Sequence, residues 1–501
     1  MRRDLEWSRC ERIIPAGCGR SFNHPVPLAN KRTRIVATLG PASDSPATLK
    51  ALIAAGLNVV RINFSHAKYD IISRNIRLVR EISEDLGTPV GILGDLRGPR
   101  IRVGEMTNGS IALRTGADVI LTPQTLLGTP ERIGVSFPKL AGDVEEGTFL
   151  LLDDGNLVLE VRERLAGDEL RCRITQGGTL SNNRGINIPG RRVSLPSLTE
   201  KDLADVDFIV KEKFDFIALS FVQTADDVRA LNSHLRALGA DIPVIAKIEK
   251  KSALDDIDAI VGEAYGVMVA RGDLALEMSL PEVPIAQKKI INACRTTATP
   301  VITATQMLES MTHNHKPTRA EVTDVANAIL DGTDAVMLSG ESAIGKYPVE
   351  AVATMAAIAR RTEEALDRGE LGRLTEPQQV DSLRSSVGQA NRDISRRMKC
   401  AAMVVYTLSG ATARWVLSHR PEIPVLALCP TNAIRRRLTL SWGARSRLVP
   451  AVETLREMRQ AALEAVVAEG LAKSGDLVTI SAGQPFGEPD NTNLLMIERV
   501  P

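Results

Sequence analysis

Aromatic side chains make up only 3% of this 501-residue chain, too few to furnish the stacking platforms on which single-stranded nucleic acids are held. Neither charge is in excess. Lys and Arg total 62 against 61 Asp and Glu, a net charge of +1, so electrostatics offer no argument for a nucleic acid or a membrane surface as partner. No apolar run approaches the roughly 18 residues that would suggest a membrane span. Cysteine is sparse and scattered: of the six, only Cys10 and Cys18 lie close together. Cys172, Cys294, Cys400 and Cys429 stand far apart, and no CxxC or Cys/His ligand spacing occurs. Free thiols in a reducing compartment are therefore expected. Residues 1–31 contain Arg but also acidic residues and no long apolar core, unlike a secretory signal. They read as a poorly ordered extension of a cytoplasmic protein.

What is present is ordinary for a soluble globular protein: 44% hydrophobic and 25% charged residues, enough for a large core and, at this length, about three domains. Short apolar, β-branched runs recur, each followed by a stretch of helical spacing. They are RIVATLG (34–40), NVVRINFS (58–65), PVGILGD (89–95), DFIALSF (215–221), PVIAKIE (243–249), GVMVARGD (266–273), PVITATQ (300–306) and DAVMLSG (334–340). Continuous apolar strands of this kind suit a parallel sheet buried on both faces. About eight strand–helix units is the number that closes a (β/α)8 TIM barrel, with an open doubly wound sheet as the competitor.

The expected barrel occupies 32–104 and 191–375. Between its third and fourth strands, 105–190 is turn-punctuated and rich in Val, Ile and Thr, the texture of a small β domain on the barrel rim, placed to act as a lid. After a polar break near 376, residues 376–501 show a second α/β pattern, expected to form a separate C-terminal domain.

The residues that could carry chemistry cluster at strand ends, where barrel enzymes gather their catalytic groups. In VIAKIEK, Lys247 and Glu249 are two apart on a strand and share a face; they could hold a phosphoryl group and a divalent ion, or form a buried ion pair. In MVARGDLALE, Gly272 lets backbone amides approach a ligand, and Asp273 could ligate Mg2+ or cap a helix. Thr305 supplies a hydroxyl at the next strand end. Near the start, Arg61, Asn63 and Ser65 alternate onto one face, and DLRGPRIR adds Asp95, Arg97, Arg100 and Arg102. Guanidiniums at this density suit a polyanion, or a solvated basic turn. Together, one Lys, two carboxylates and several Arg at successive strand ends suggest metal-assisted phosphoryl transfer.

NFSHA, GPRIR, AKIEK, VARGDL, ATQMLESM and LSGESAIGKYP, in this order, resemble the motifs of pyruvate kinases, and the resemblance runs from about Arg34 to the C-terminus. It implies a barrel, a β-barrel lid inserted after the third strand and a regulatory C-terminal α/β domain. It also implies transfer of the phosphoryl group of phosphoenolpyruvate (PEP) to ADP in glycolysis, giving pyruvate and ATP, with Mg2+ or Mn2+ as cofactor. By position, Lys247 resembles the residue that stabilises the phosphoryl group in flight, and Glu249 and Asp273 the metal ligands. Arg61 resembles the grip on the substrate phosphate. The Gly272 and Asp273 amides with the Thr305 hydroxyl resemble the carboxylate-binding set, Thr305 also lying near the site of enolate protonation. Asn63, His66, Arg102 and, in the lid, Arg184 resemble nucleotide-side ligands, Arg184 standing where relatives usually carry Lys.

Two departures concern K+. Relatives bind it through positions matching Asn63, Ser65, Asp95 and the following carbonyl, with Thr after the Asp and Glu five residues beyond it; here those two are Leu96 and Arg100. A unit charge about 5 Å away at an effective dielectric near 20 is worth on the order of 3 kcal/mol. Arg100 should therefore disfavour K+ and supply a fixed cation in its place, as in the K+-independent branch. In TLSGATARW, Ser409, Gly410 and Thr412 resemble an effector loop that could bind a phosphorylated allosteric ligand, or simply cap a helix. A homotetramer is the family's usual assembly. Two other readings stay open: an aldolase using Lys247 as a Schiff base, and a catalytically silent regulator that binds phosphorylated metabolites.

Overall fold

The computed structural model describes residues 31–65, 68–371, 382–488 and 491–501. The expected N-terminal extension (all but Lys31), His66 and the polar break near 376 lie outside the described residues. All eight apolar runs form strands: β1 Arg34–Thr38, β2 Val59–Asn63, β3 Gly91–Asp95, β4 Phe216–Leu219, β5 Val244–Ile248, β6 Gly266–Ala270, β7 Val301–Ala304 and β8 Ala335–Leu338. They close in the order β1-β8-β7-β6-β5-β4-β3-β2, parallel throughout. Closure decides against the open sheet.

The two-residue period explains both the continuous apolar runs and the placement of the site. Alternate residues such as Ile35, Val60, Ile92, Ile217 and Val267 pack outward under the helices. The others fill the interior, with Val36, Val59, Leu93, Phe216, Ile245, Met268 and Ile302 in one cluster. Leu440 of the C-terminal domain joins that cluster, a burial worth about 1.5–3 kcal/mol. On β1, β2, β3 and β5 the inward positions turn polar two residues further along: Thr38, Arg61, Asp95 and, from the β5 run, Lys247 and then Glu249. The apolar filling is the floor of the site, and these residues stand on it.

The insert between β3 and β4 is a seven-stranded sheet with its own core, which includes Leu121, Leu159, Val161 and Ile174. It recruits Ile101–Arg102, which pairs with Gly185–Asn187. An isolated bridge, Val103 to Val135, brings the two outer strands of the sheet together. Residues 402–499 build a five-stranded sheet from β9 Ala402–Tyr406, β10 Val425–Cys429, β11 Ala444–Leu448, β12 Leu477–Ala482 and β13 Leu494–Arg499, ordered β11-β10-β9-β12-β13 with β13 antiparallel. This domain holds the barrel by two carboxylates just ahead of β8 and β4. Arg420 Nη1 donates to Asp334 Oδ1 at 2.9 Å, and Arg436 Nε to Asp215 Oδ1 at 2.7 Å. Both contacts lie at the face opposite the strand ends that carry the candidate residues. Cys172, Cys294, Cys400 and Cys429 are buried free thiols. Among the described residues no helix is long and apolar enough to cross a membrane.

Candidate active site

Lys247 is the hub. It leaves β5 toward the barrel axis, and its Nζ lies 2.8 Å from Glu249 Oε1 and 3.2 Å from Asp95 Oδ1, while donating to Ser220 Oγ at 2.7 Å. Asp95, 1% exposed, also accepts from Arg61 Nε at 2.6 Å, and Arg61 Nη1 donates to Thr38 Oγ1 at 2.9 Å. Two cations thus flank one buried carboxylate. Burial works to push the Asp95 pKa up, but the charges of Lys247 and Arg61 outweigh it and leave it below the ordinary value. Burial likewise works against a charged Lys247, and Asp95 and Glu249 more than offset it, so its pKa is raised and the ammonium stays protonated.

Glu249 shifts in the opposite direction to Asp95. Burial, with the neighbouring Asp273 charge, pushes its pKa up in spite of Lys247. Its Oε2 accepts the Phe221 amide at 2.7 Å. Asp273 lies in the helix Arg271–Glu277 but makes no capping bond; it faces Arg100 Nη2 at 3.3 Å instead. One loop further round, Thr305 follows β7. Its Oγ1 accepts the Gly272 amide at 2.8 Å and donates to the Ala304 carbonyl at 2.7 Å. The structure thus brings Arg61, Asp95, Lys247, Glu249, Gly272, Asp273 and Thr305 to adjoining strand ends.

A family model described as the pyruvate kinase barrel domain matches residues 30–352, and one described as the pyruvate kinase alpha/beta domain matches 385–498. The chain belongs to the pyruvate kinase family. The pyruvate kinase of Geobacillus stearothermophilus is 46% identical over 470 residues, 93% of this chain and 80% of that protein. That of Corynebacterium glutamicum is 41% identical over 469 residues, 93% of this chain and 97% of the relative. Among solved structures, a pyruvate kinase from Cryptosporidium parvum superposes with a TM-score of 0.86 at 32% identity, over 95% of this chain and 97% of that one. Membership of the pyruvate kinase family makes the chain an enzyme with kinase activity.

Pyruvate kinases generally depend on Mg2+ or Mn2+, and the donor set fits such an ion. Glu249 and Asp273 present hard carboxylate oxygens, and the Asp273 charge adds to the cost of ionising Glu249, a repulsion that a divalent cation removes. Among the described residues no cluster of three or more His, Cys, Asp or Glu could hold a metal alone. Mg2+ takes one or two protein carboxylates and completes its shell from water and substrate oxygens.

The remaining candidate residues sit further out. Asn63 Oδ1 accepts the Ser65 amide at 3.0 Å. Leu96 is buried in the apolar core, and its carbonyl accepts from Ser220 Oγ at 2.8 Å. The Arg100 guanidinium pairs with Asp273 and lies over the Phe221 ring, 5.5 Å from the centroid. Arg102 donates to the Asn183 carbonyl at 2.7 Å, and Arg184 Nε lies 3.3 Å from Asp153 Oδ1, beyond the neighbouring strand Phe149–Leu152. Partial burial, then the nearby Arg97 and Arg100 charges, push the Arg102 pKa down. Such mutually repelling guanidiniums favour an anion.

In the C-terminal domain Gly410, at φ 94°, starts the helix Ala411–Ser418, and Ser409 Oγ accepts the Ala411 amide at 3.3 Å. Thr412 is buried, its hydroxyl bonded to that of Thr492 at 3.0 Å. The adjoining cavity is only about 30 Å3 and, among the described residues, is lined by Glu488 but by neither Lys nor Arg, so a phosphate there would rely on backbone amides.

Sequence reasoning missed three participants: Ser220, which links Lys247 to the Leu96 carbonyl; Thr38, which steadies Arg61; and Arg271, which grips the Thr305 loop. Strand alternation could have found the first two, since both lie on inward positions of β-runs.

Proposed function

We propose that the enzyme transfers the phosphoryl group of PEP to ADP, PEP + ADP + H+ giving pyruvate + ATP. The observation that carries this reading is the buried Lys247, held protonated between Asp95 and Glu249 and beside Arg61. In this reading Arg61 and Lys247 bind the phosphate of PEP, and Lys247 stays with the phosphoryl group as an ADP β-phosphate oxygen attacks in line and the bond to the enol oxygen breaks. Catalysis of this type is positioning plus charge neutralisation. A divalent ion bound by Glu249 and Asp273 supplies further neutralisation of phosphoryl and enolate oxygens. The Gly272 and Asp273 amides receive the carboxylate, the Gly272 N–H leaving Thr305 Oγ1 to do so. The Thr305 hydroxyl orients the water that protonates the enolate at its methylene carbon. Arg102 and Arg184 bind ADP phosphates.

A coupled lactate dehydrogenase assay should show ADP-dependent pyruvate formation, abolished in Lys247→Met. Borohydride trapping of a substrate adduct on Lys247 would favour the aldolase reading instead, and a folded wild-type protein without turnover would favour the silent regulator. We further propose that K+ is not required. Arg100 places a permanent cation beside Asp273, Leu96 lacks the hydroxyl, and its carbonyl is engaged by Ser220. Activity should be the same in KCl and in a tetramethylammonium salt at matched ionic strength; strong activation by KCl would refute it.

A further inference from the structure

Thr305 and Gln306 both hold left-handed backbone conformations, with φ of 67° and 54°. A β-branched residue rarely stays there unless its surroundings over-determine it, and such strain concentrates where geometry serves function. Here the surroundings are largely one side chain. Arg271, whose side chain is 12% exposed, reaches from the end of β6 across to the loop after β7. Its Nε donates to the Ala304 carbonyl at 3.3 Å, and its Nη2 donates to the Thr305 carbonyl at 2.8 Å and lies 2.8 Å from Met307 Sδ. Nη1 is anchored by Asp324 Oδ1 at 2.7 Å, from the helix Arg319–Asp331. On the far side of the loop the Leu308 amide donates to the buried Glu341 at 3.1 Å.

Arg271 is also the residue before Gly272 and Asp273. The guanidinium that fixes the Thr305 carbonyl is therefore tied by two bonds of main chain to the amide that meets the Thr305 hydroxyl. We infer that Arg271 is a positioning residue that holds Thr305 in its strained conformation. It thereby sets the hydroxyl at a fixed offset from Gly272 and Asp273 for the proton-transfer half of the reaction. The inference rests on the reading under Proposed function. A planar fork spanning two carbonyls and a carboxylate is a task for Arg and not for Lys. No bond of Arg271 reaches the phosphate-binding pair Arg61 and Lys247, so its loss should spare PEP binding.

The test uses full-length Arg271→Met, Arg271→Lys and Asp324→Asn. Run backwards, protonation of the enolate appears as exchange of pyruvate methyl protons with D2O, followed by NMR with Mg2+ and inorganic phosphate present. PEP affinity is read separately by calorimetry. Arg271→Met should slow exchange and kcat together by roughly 10- to 100-fold, the population change that a released strained conformer produces. PEP affinity should change by less than about threefold. Arg271→Lys should recover part of the exchange rate. Asp324→Asn should lose less, and the Met/Asn double variant should be no slower than Arg271→Met, as for two groups acting through one contact. Wild-type exchange in folded Arg271→Met, or loss of PEP affinity in proportion to kcat, overturns the inference. Should Arg271→Met not fold, wild-type exchange in both Arg271→Lys and Asp324→Asn overturns it. A wild-type enzyme that does not convert PEP and ADP marks failure of the underlying reading instead.

Discussion

Asp95→Asn puts the charge balance at the base of the site to the test. The carboxylate is 1% exposed and lies between Arg61 Nε at 2.6 Å and Lys247 Nζ at 3.2 Å, side chains that are themselves only 12% and 11% exposed. Asn keeps the volume and one acceptor, so the change is almost purely electrostatic. It leaves two buried cations with Glu249 as their one remaining close anion. Breaking a buried pair by removing one partner costs about 3–5 kcal/mol, against about 0–1 kcal/mol for an exposed pair.

Thermal unfolding near neutral pH should show this as a midpoint lowered by roughly 5–10 °C in a barrel of this size. Inorganic phosphate, which can replace the missing anion, should raise the midpoint of the variant more than that of the wild type. The pH dependence has a definite sign. The Asp95 pKa is lowered in the folded state, so its contribution is complete above the unfolded value of about 3.9 and is lost as pH falls through the lower folded value. The gap between wild type and variant should stay constant from neutrality to about pH 5 and close only in strong acid. A variant within about 0.5 kcal/mol of wild type, or an equal response of the two proteins to phosphate, would refute the charge accounting.

Glu249→Gln should weaken Mg2+ binding by at least about tenfold, because one of two charged oxygen donors is lost; Mg2+ titration of activity and Mn2+ binding by paramagnetic resonance check it. Thr305→Ala should lower kcat by about 10²–10⁴-fold, the range for a lost proton-transfer group, with PEP affinity by calorimetry little changed. Arg420→Met leaves Asp334 buried without its guanidinium and should cost about 3–5 kcal/mol. The loss should appear as earlier proteolytic separation of the C-terminal domain while the barrel remains intact.

Strand identity and the inserted β domain were legible because each rests on local pattern: apolar runs of strand length, helical spacing between them, and one interval of different texture; closure over an open sheet was not, because it rests on the pairing of β1 with β8. The same alternation put Lys247 and Glu249 on one face of their strand, and Arg61 with Asn63 on one face of theirs. What alternation cannot supply is the height of each residue around the barrel, which depends on register between strands. Asp95 stands level with Asn63 on one side and Ala218 on the other. Ala218 is level with Ile245 on β5, so Lys247 emerges one inward step above Asp95 and reaches back to it. The sequence offered Asp95 as a possible cation ligand; in the fold its nearest partners are two cations of the chain itself. The partner of Arg100 was hidden in the sequence for a related reason. Its distance along the chain from Asp95 is short, but the turn through Gly98, at φ 68°, sends its side chain toward Asp273. In both cases a charged residue is defined less by its own strand than by the opposite charge that closure brings within reach, and that pairing decides which carboxylates remain for a metal.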